Sequence, residues 1–339
     1  MALAEILPTH TPELFRNAVR RAVELLRAGE VVALPTETVY GLGANAFDPS
    51  AVARIFEVKG RPPENPIIVH VSSTAMAQRC VTAWPEIAGR LAQAFWPGPL
   101  TLVLPRNELI PAVVTAGGPT VGLRWPSHPF VQAVIRECNF PLAAPSANPS
   151  TEISPTSAEH VRRSLGEKVP LIIDGGLSQV GIESTVLDLT SSPPRELRPG
   201  IIHRESLVAV TGELAVHDSS PGPENSPLRS PGLLQKHYSP KAKVLLWTWK
   251  NDAELQQKLS ALRDDPQTIH LIAHTQVPLG QALPHVTIIP HDPEAFARAI
   301  YAEFHRCDEQ GAAVIIVEQV PQAAPWRGIA DRLRRAASE

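Results

Sequence analysis

The sequence predicts an α/β protein in two domains: a mixed sheet with flanking helices, then a small parallel α/β domain. Three observations carry this. Short β-branched runs alternate with segments of helical period along most of the chain. Some of those strands follow one another with no helix between them, which fits a mixed sheet better than a purely doubly wound one. Between residues 213 and 241 the composition turns to Pro, Ser and Gly with few apolar side chains, which reads as a linker. The expected boundaries are therefore 10–210, a linker at 211–241, and 242–339. The 339 residues suffice for two domains, and an apolar fraction of 43% supports two cores.

Taken in order, Thr11-Pro12-Glu13 opens the first helix, with a cap and a first-turn proline in place. Phe15, Val19, Ala22, Val23 and Leu26 recur at helical spacing, and Gly29 stops the run. Residues 31–34 form a strand that empties into PTETVYGLG at 35–43, where Thr36 and Thr38 offer hydroxyls to a ligand or to an ordinary turn. Asp48 caps a helix that Pro49 begins and that runs to about Val58. Residues 67–71 read as a short buried strand, and 73–80 and 85–94 as helices. Phe95 to Pro99 is a rigid turn with Trp96 packed in the core, followed by strands at 100–104 and 120–124, the second ending on Arg124. Ser127 caps a helix to about Glu137. The strand at 141–144 leads into Pro145-Ser146-Ala147-Asn148. Ser154-Pro155-Thr156 starts a further helix, and a helix N-terminus after a polar loop is a ready anion site. Strands at 171–174 and 185–189 and the turn Arg198-Pro199-Gly200 complete the first domain. Beyond the linker come strand 243–248, helix 252–263, strands 268–273 and 285–289, helix 293–308, strand 313–317 and helix 326–336. This domain is Rossmann-like in shape but has no Gly-rich fingerprint, so the shape implies no nucleotide.

The chemistry concentrates in IFEVKGRPPENPIIVH at 55–70. Lys59 and Arg61 flank Gly60, and Pro62, Pro63 and Pro66 each fix φ near about −65°, so the loop is stiff before any ligand arrives. His70 lies near the C-terminal end of its strand, where open α/β sheets tend to bind ligands. Each residue alone also has an ordinary reading: Lys59 opposing a helix dipole, Arg61 solvated, His70 a satisfied core histidine. What favours a ligand site is their combination: two cations, a rigid loop and a strand-end His within twelve positions.

Bulk properties narrow the class. A formal charge of −3 argues against a protein built mainly to hold polyanions. Cys80, Cys138 and Cys307 lie far apart and without metal spacing, which suggests a reducing compartment and no structural zinc. No stretch approaches the roughly 18 apolar residues of a membrane span, and the N-terminus has no signal-peptide pattern, so the expectation is a cytoplasmic protein. The 35 prolines are about twice the usual share of roughly 5%, dispersed as rigid loops.

LPTETVYGLGANAF at 34–47, the 55–70 stretch, FWPGPLTLVL at 95–104, VGLRWP at 121–126, PSANPS at 145–150, GIESTVLDL at 181–189, RPG at 198–200 and SPGLLQKHYSP at 230–240 occur in one order at compatible spacing. Together they resemble the threonylcarbamoyl-adenylate synthase family, in its two-domain form with a YrdC-like catalytic domain. The resemblance implies an open concave cleft. It also implies the reaction of L-threonine, bicarbonate or CO2, and ATP to threonylcarbamoyl-AMP and pyrophosphate, the first step of threonylcarbamoyladenosine formation in tRNA. A separate transferase complex, met transiently, would consume the product. Mg²⁺ would arrive with ATP, with no dedicated metal site on the protein. The absence of a Walker loop fits, since an adenylation rests on positioning and charge stabilisation.

By the same resemblance, Lys59, Arg61, Ser146 and Asn148 serve the triphosphate and reacting centre. Thr38, His70, Arg124, the main chain at Ala144, and Ser184 contact threonine. Arg61, Asn65, Thr120, Ser146, Ser154, Arg198 and Tyr238 contact the nucleotide. The residues alone leave Thr36 and Thr38 open; the resemblance points to Thr38. Two departures stand out: Thr151 where the family usually has Gly, and Leu233-Leu234-Gln235-Lys236 where it usually has an aromatic before His-Tyr. The competing readings are an RNA-binding module and a carbamoyl-adenylate-forming factor of hydrogenase maturation. The acidic balance and missing base-stacking aromatics oppose the first; the missing Cys-rich zinc modules oppose the second. Neither stable nucleic-acid binding nor membrane association is expected. The patterned linker is expected to cover the cleft as a lid, with Tyr238 reaching the nucleotide.

Overall fold

The computed structural model describes residues 3–215, 238–278 and 283–337. Among them are two compact units, one of residues 3–150 and 154–215 and the other of residues 151–153 and 238–337. Of the lid expected at 211–241, residues 216–237 lie outside the described residues.

The first unit runs β1 (Glu5–Pro8), α1 (Pro12–Arg27), β2 (Val32–Leu34), β3 (Gly41–Asn45), α2 (Pro49–Lys59), β4 (Val69–His70), α3 (Thr74–Arg79), α4 (Glu86–Phe95), β5 (Leu100–Pro105), β6 (Thr120–Arg124), α5 (Pro129–Cys138), β7 (Leu142–Ala143), α6 (Ala158–Leu165), β8 (Leu171–Asp174), β9 (Thr185–Asp188), β10 (Arg195–Arg198) and α7 (Arg204–Thr211). Its mixed ten-stranded sheet has the order β1-β8-β2-β3-β7-β4-β6-β5-β9-β10. β4 and β6 lie side by side and parallel, with His70 in register with Arg124. That pairing brings the two strand-end side chains together.

The caps explain why helices begin where they do. Thr11 Oγ1 accepts from Leu14 N, and Asp48 Oδ1 accepts from Ser50 N and Ala51 N, each just ahead of a proline at the first helical position. Gly60 closes α2 with a left-handed φ of 59°, the conformation that favours glycine after a helix. Trp96 is buried, as expected, and donates from Nε1 to Leu100 O.

Other expectations need correction. The sequence pattern predicts neither β1, which lies ahead of the expected first domain, nor β3, whose residues 41–43 fall in the loop at 35–43. β1 extends the unit ahead of residue 10 by pairing with β8. β3 contains two glycines, which weaken a strand pattern, yet a Cβ on Gly43 would come 3.0 Å from Leu34 Cδ1, so close strand packing favours glycine there. β10 and α7 close the unit, and Leu214 is still buried, so the unit reaches beyond 210. The cap of α5 is His128, whose Nδ1 accepts from Phe130 N, and not Ser127. The helix expected at Ser154 starts at Ala158 and is capped by Ser157. The loop at 145–148 therefore does not run directly into a helix N-terminus, and that anion-site argument fails.

The second unit comprises β11 (Lys243–Trp247), α8 (Asp252–Ser260), β12 (Ile269–Ala273), β13 (His285–Ile288), α9 (Pro293–Glu309), β14 (Val314–Glu318) and α10 (Arg327–Ala336). Its four strands are all parallel in the order β11-β14-β12-β13, as the alternating pattern predicts. Thr151–Ile153 belong to this unit: Ser239 N donates to Thr151 O, and Glu152 bridges Ser239 in parallel. Thr151 has φ 72°, so the position keeps the left-handed backbone that suits glycine even though its residue is β-branched.

Candidate functional site

The site is built on loops that the sheet of the first unit holds at its strand ends. The 35–40 turn is fixed by its own main chain. Val180 N donates to Glu37 O (2.7 Å), Gly181 N to Thr38 O (3.1 Å), and Tyr40 N to Pro155 O (2.8 Å). Thr36 Oγ1 donates to Val39 O at 2.6 Å and accepts from Thr38 N at 3.2 Å. Its hydroxyl is spent on the turn, which leaves Thr38 as the hydroxyl with capacity for a ligand. Thr38 Oγ1 lies 3.0 Å from Thr36 Oγ1.

The 145–148 loop is clamped from two sides. Ala147 N donates to Tyr40 O and Leu42 N donates to Pro145 O, both at 2.8 Å. From the end of α2, Lys59 Nζ donates to Ser146 O (2.6 Å) and to Asn148 O, and Ser150 N returns to Lys59 O at 2.9 Å. Lys59, Ser146 and Asn148 are thus brought together. Arg61 is spent locally: Nε donates to Asn65 O (3.0 Å) and Nη2 to Pro66 O (2.6 Å), which fixes the proline-rich loop. The Asn65 side chain is 1% exposed, and neither its Nδ2 nor its Oδ1 has a hydrogen-bond partner. Buried amides are nearly always paired, so the Asn65 amide has hydrogen-bonding capacity left over.

His70, Arg124 and Glu37 form the electrostatic centre. All three are buried, and Arg124 Nη2 lies 2.9 Å from Glu37 Oε1. The contact is an ion pair without hydrogen-bond alignment: both Glu37 oxygens, Arg124 Nε and Nη2, and His70 Nδ1 have no hydrogen-bond partner. Burial alone would raise the Glu37 carboxyl, but the guanidinium outweighs it and holds the carboxyl below its usual range. Burial, aided by Arg124, pushes His70 down to about 3, so its imidazole is neutral at physiological pH. Glu37 escaped the sequence reading because an acid in a polar loop is ordinarily solvated. The one available signal was the need of a strand-end Arg124 for a counter-ion.

Both shifts have the same sign for stability. The unfolded chain binds a proton at His70 between about 3 and 6.5 that the folded chain does not, so stability is full above 6.5 and is lost as pH falls through that window. The lowered Glu37 carboxyl adds a loss below its ordinary value of 4.5. Chemical denaturation should show stability falling on acidification, with His70 contributing a slope of at most about 1.4 kcal/mol per pH unit. His70→Gln should flatten the curve between pH 6.5 and 5; an unchanged slope would remove His70 as a source.

The remaining predicted residues fall into smaller groups. Ser184 Oγ lies 2.8 Å from Thr101 Oγ1 and accepts from Arg198 Nη2 at 3.1 Å, so Ser184 and Arg198 are together. Gly200 makes this possible, since a Cβ there would sit 2.5 Å from Thr185 N. Ser154 Oγ donates to Glu183 Oε1 at 2.6 Å. Ala144 N donates to Ile68 O, so a main-chain contact at Ala144 falls to its carbonyl. Thr120 opens β6 opposite Pro105. Tyr238 belongs to the second unit, where it is buried, stacks on Tyr301 with ring centroids 6.0 Å apart and lies under the Arg332 guanidinium. Among the described residues, no group of three or more His, Cys, Asp or Glu side chains is placed to hold a metal ion.

Comparison with known proteins extends across both units. The Sua5_yciO_yrdC family profile, described as telomere recombination, matches residues 24–200. A second, described as the C-terminal domain of threonylcarbamoyl-AMP synthase, matches residues 202–338. The threonylcarbamoyl-AMP synthase of Pyrococcus abyssi is 39% identical over 94% of this chain and 93% of its own length. That of Bacillus subtilis is 38% identical over 96% of this chain and 95% of its own. Among solved structures, Pyrococcus abyssi Sua5 complexed with L-threonine superposes with a TM-score of 0.90 at 37% identity, covering 99% of this chain and 98% of that one.

Proposed function

Because the chain belongs to the threonylcarbamoyl-AMP synthase family, we infer that it makes threonylcarbamoyl-AMP from L-threonine, CO2 or bicarbonate, and ATP. This is the first step in placing threonylcarbamoyl on the adenosine next to the anticodon of tRNA. The observation that carries the reading into the site is the buried cluster at the ends of β4 and β6: Arg124, His70 and Glu37 with unmade hydrogen bonds. Buried polar groups rarely stay unpaired, so such a cluster is suited to a small polar ligand. The Arg124 fork matches a carboxylate. Neutral His70, with Thr38, Ser184 and the Ala144 carbonyl, supplies contacts for threonine's hydroxyl and amine.

The chemistry follows from placement. The threonine amine, once deprotonated, adds to CO2 and gives a carbamate. A carbamate oxygen attacks the α-phosphorus of ATP, a P–O bond forms, and pyrophosphate leaves with the electron pair of the bond that breaks. No protein nucleophile is needed, so rate depends on orientation and on stabilising phosphate charge. Lys59 and Arg61 supply positive charge, and the 145–148 loop that Lys59 holds presents Ser146 and Asn148. Asn65, Thr120, Ser154, Arg198 and Tyr238 serve the nucleotide. Mg²⁺ would arrive with ATP and offset its phosphate charge. The product is a mixed anhydride that water destroys, which suits a brief hand-over to a transferase complex in the cytoplasm.

Incubation with ATP, labelled bicarbonate and L-threonine tests the reading: a labelled adenylate that requires threonine is expected, and label appearing equally without threonine would contradict it. A second outcome concerns the phosphates. Arg61→Ala removes a charge-assisted contact worth about 1.5–3 kcal/mol, a loss of roughly 10- to 150-fold in kcat/KM. A lowered melting temperature with normal activity per folded molecule would reduce Arg61 to a clamp on the Asn65 and Pro66 carbonyls.

A further inference from the structure

Glu37 is an acid in a site otherwise made of cations, hydroxyls and a neutral imidazole. It is 7% exposed, and its main chain is pinned by Val180 N. The groups whose charges act on it or feel it are Arg124, His70 and His128. As a stabilising device the Glu37–Arg124 pair is a poor one, because desolvating two ions offsets most of their attraction unless further hydrogen bonds are made. Here those bonds are missing on both sides: Glu37 Oε1 and Oε2, and Arg124 Nε and Nη2. The pair is thus a buried dipole with open bonding capacity at each end. A ligand that completes it carries both signs. The carboxylate of an α-amino acid matches the guanidinium, and its ammonium, one carbon away, matches the carboxylate. A ligand with a carboxylate alone meets a guanidinium already partly neutralised and is repelled by Glu37.

We propose that Glu37 is a specificity-determining residue: by balancing Arg124 it makes the substrate seat accept a zwitterionic amino acid and reject a simple carboxylate. This rests on the assignment of Arg124 to the substrate carboxylate. Glu37 also acts as a positioning residue, holding the guanidinium at the end of β6.

Isothermal titration of the full chain with three probes tests it: L-threonine, (3R)-3-hydroxybutyrate, which lacks the amino group, and L-threoninamide, which lacks the carboxylate. The wild-type chain should bind threonine roughly 100-fold more tightly than 3-hydroxybutyrate, and Glu37→Gln should compress that ratio by about tenfold or more. Glu37→Asp retracts the charge by one methylene and should give an intermediate ratio. In turnover, Glu37→Gln should raise the KM for threonine more than it lowers kcat. If Glu37→Gln melts as wild type and its ratio stays within about twofold of wild type, the proposal is overturned. If Glu37→Gln does not fold, Glu37→Asp decides: an intermediate ratio supports the proposal and a wild-type ratio overturns it. Threoninamide separates the two layers. Wild-type affinity for it equal to that for threonine would remove the Arg124 assignment and this proposal together. Weak threoninamide binding with an unchanged ratio would remove the role of Glu37 alone.

Discussion

Arg124→Ala is expected to abolish threonine-dependent pyrophosphate release and to cost about 3–5 kcal/mol of folding stability. Both effects come from one geometry. The guanidinium lies 2.9 Å from Glu37 Oε1, and both side chains are buried. Removing it strands a carboxylate in a low-dielectric site, which is the expensive way to break a buried pair. It also removes the planar fork assigned to the substrate carboxylate. The two losses can be separated. A double variant, Arg124→Leu with Glu37→Leu, removes both charges, and replacing a whole buried pair by apolar side chains is often neutral or stabilising. Its denaturation midpoint should return most of the way to wild type while pyrophosphate release stays absent. Recovery of activity along with stability would mean that Arg124 serves the fold and not the substrate.

Lys59→Met should lower kcat/KM by roughly 10²- to 10⁴-fold, from the loss of charge-assisted bonds worth about 1.5–3 kcal/mol each. The methionine fills similar volume without the ammonium, so the core beside α2 is kept. What is lost is the clamp on the Ser146 and Asn148 carbonyls, and with it both the placement of that loop and a positive charge for phosphate. Steady-state kinetics beside thermal melting separates the possibilities. A lower melting temperature at unchanged turnover per folded molecule would make Lys59 a loop anchor only.

How much of this was legible in the sequence depended on whether a residue's partner was near it in the chain. Asp48 and Thr11 cap the helices that follow them, and the signal is local. The parallel sheet of the second unit was readable because strands and helices alternate regularly. β3 was hidden by its glycines, which are there for packing across the sheet. β10 reads as a polar segment because Arg195 and Arg198 bracket Glu196, yet Glu196 and Leu197 are buried. Ser154 fits a helix cap as well as Ser157 does, and what separates them is Glu183, which takes the Ser154 hydroxyl. In the site, the cations and His70 were visible as strand-end and loop residues. Glu37 was not, because its charge state is set by Arg124, far along the chain and adjacent only once the sheet that carries β2, β3 and β6 has formed.

The central claim is that the pocket at the ends of β4 and β6 recognises threonine by its hydroxyl as well as its carboxylate. Pyrophosphate release measured with ATP, bicarbonate and either L-threonine or L-valine tests it most directly. A site built to hydrogen-bond a hydroxyl leaves its own groups unpaired with valine, so threonine should be favoured in kcat/KM on the order of 10⁴-fold. Equal release with the two amino acids would contradict a hydroxyl contact from Thr38, His70 and Ser184.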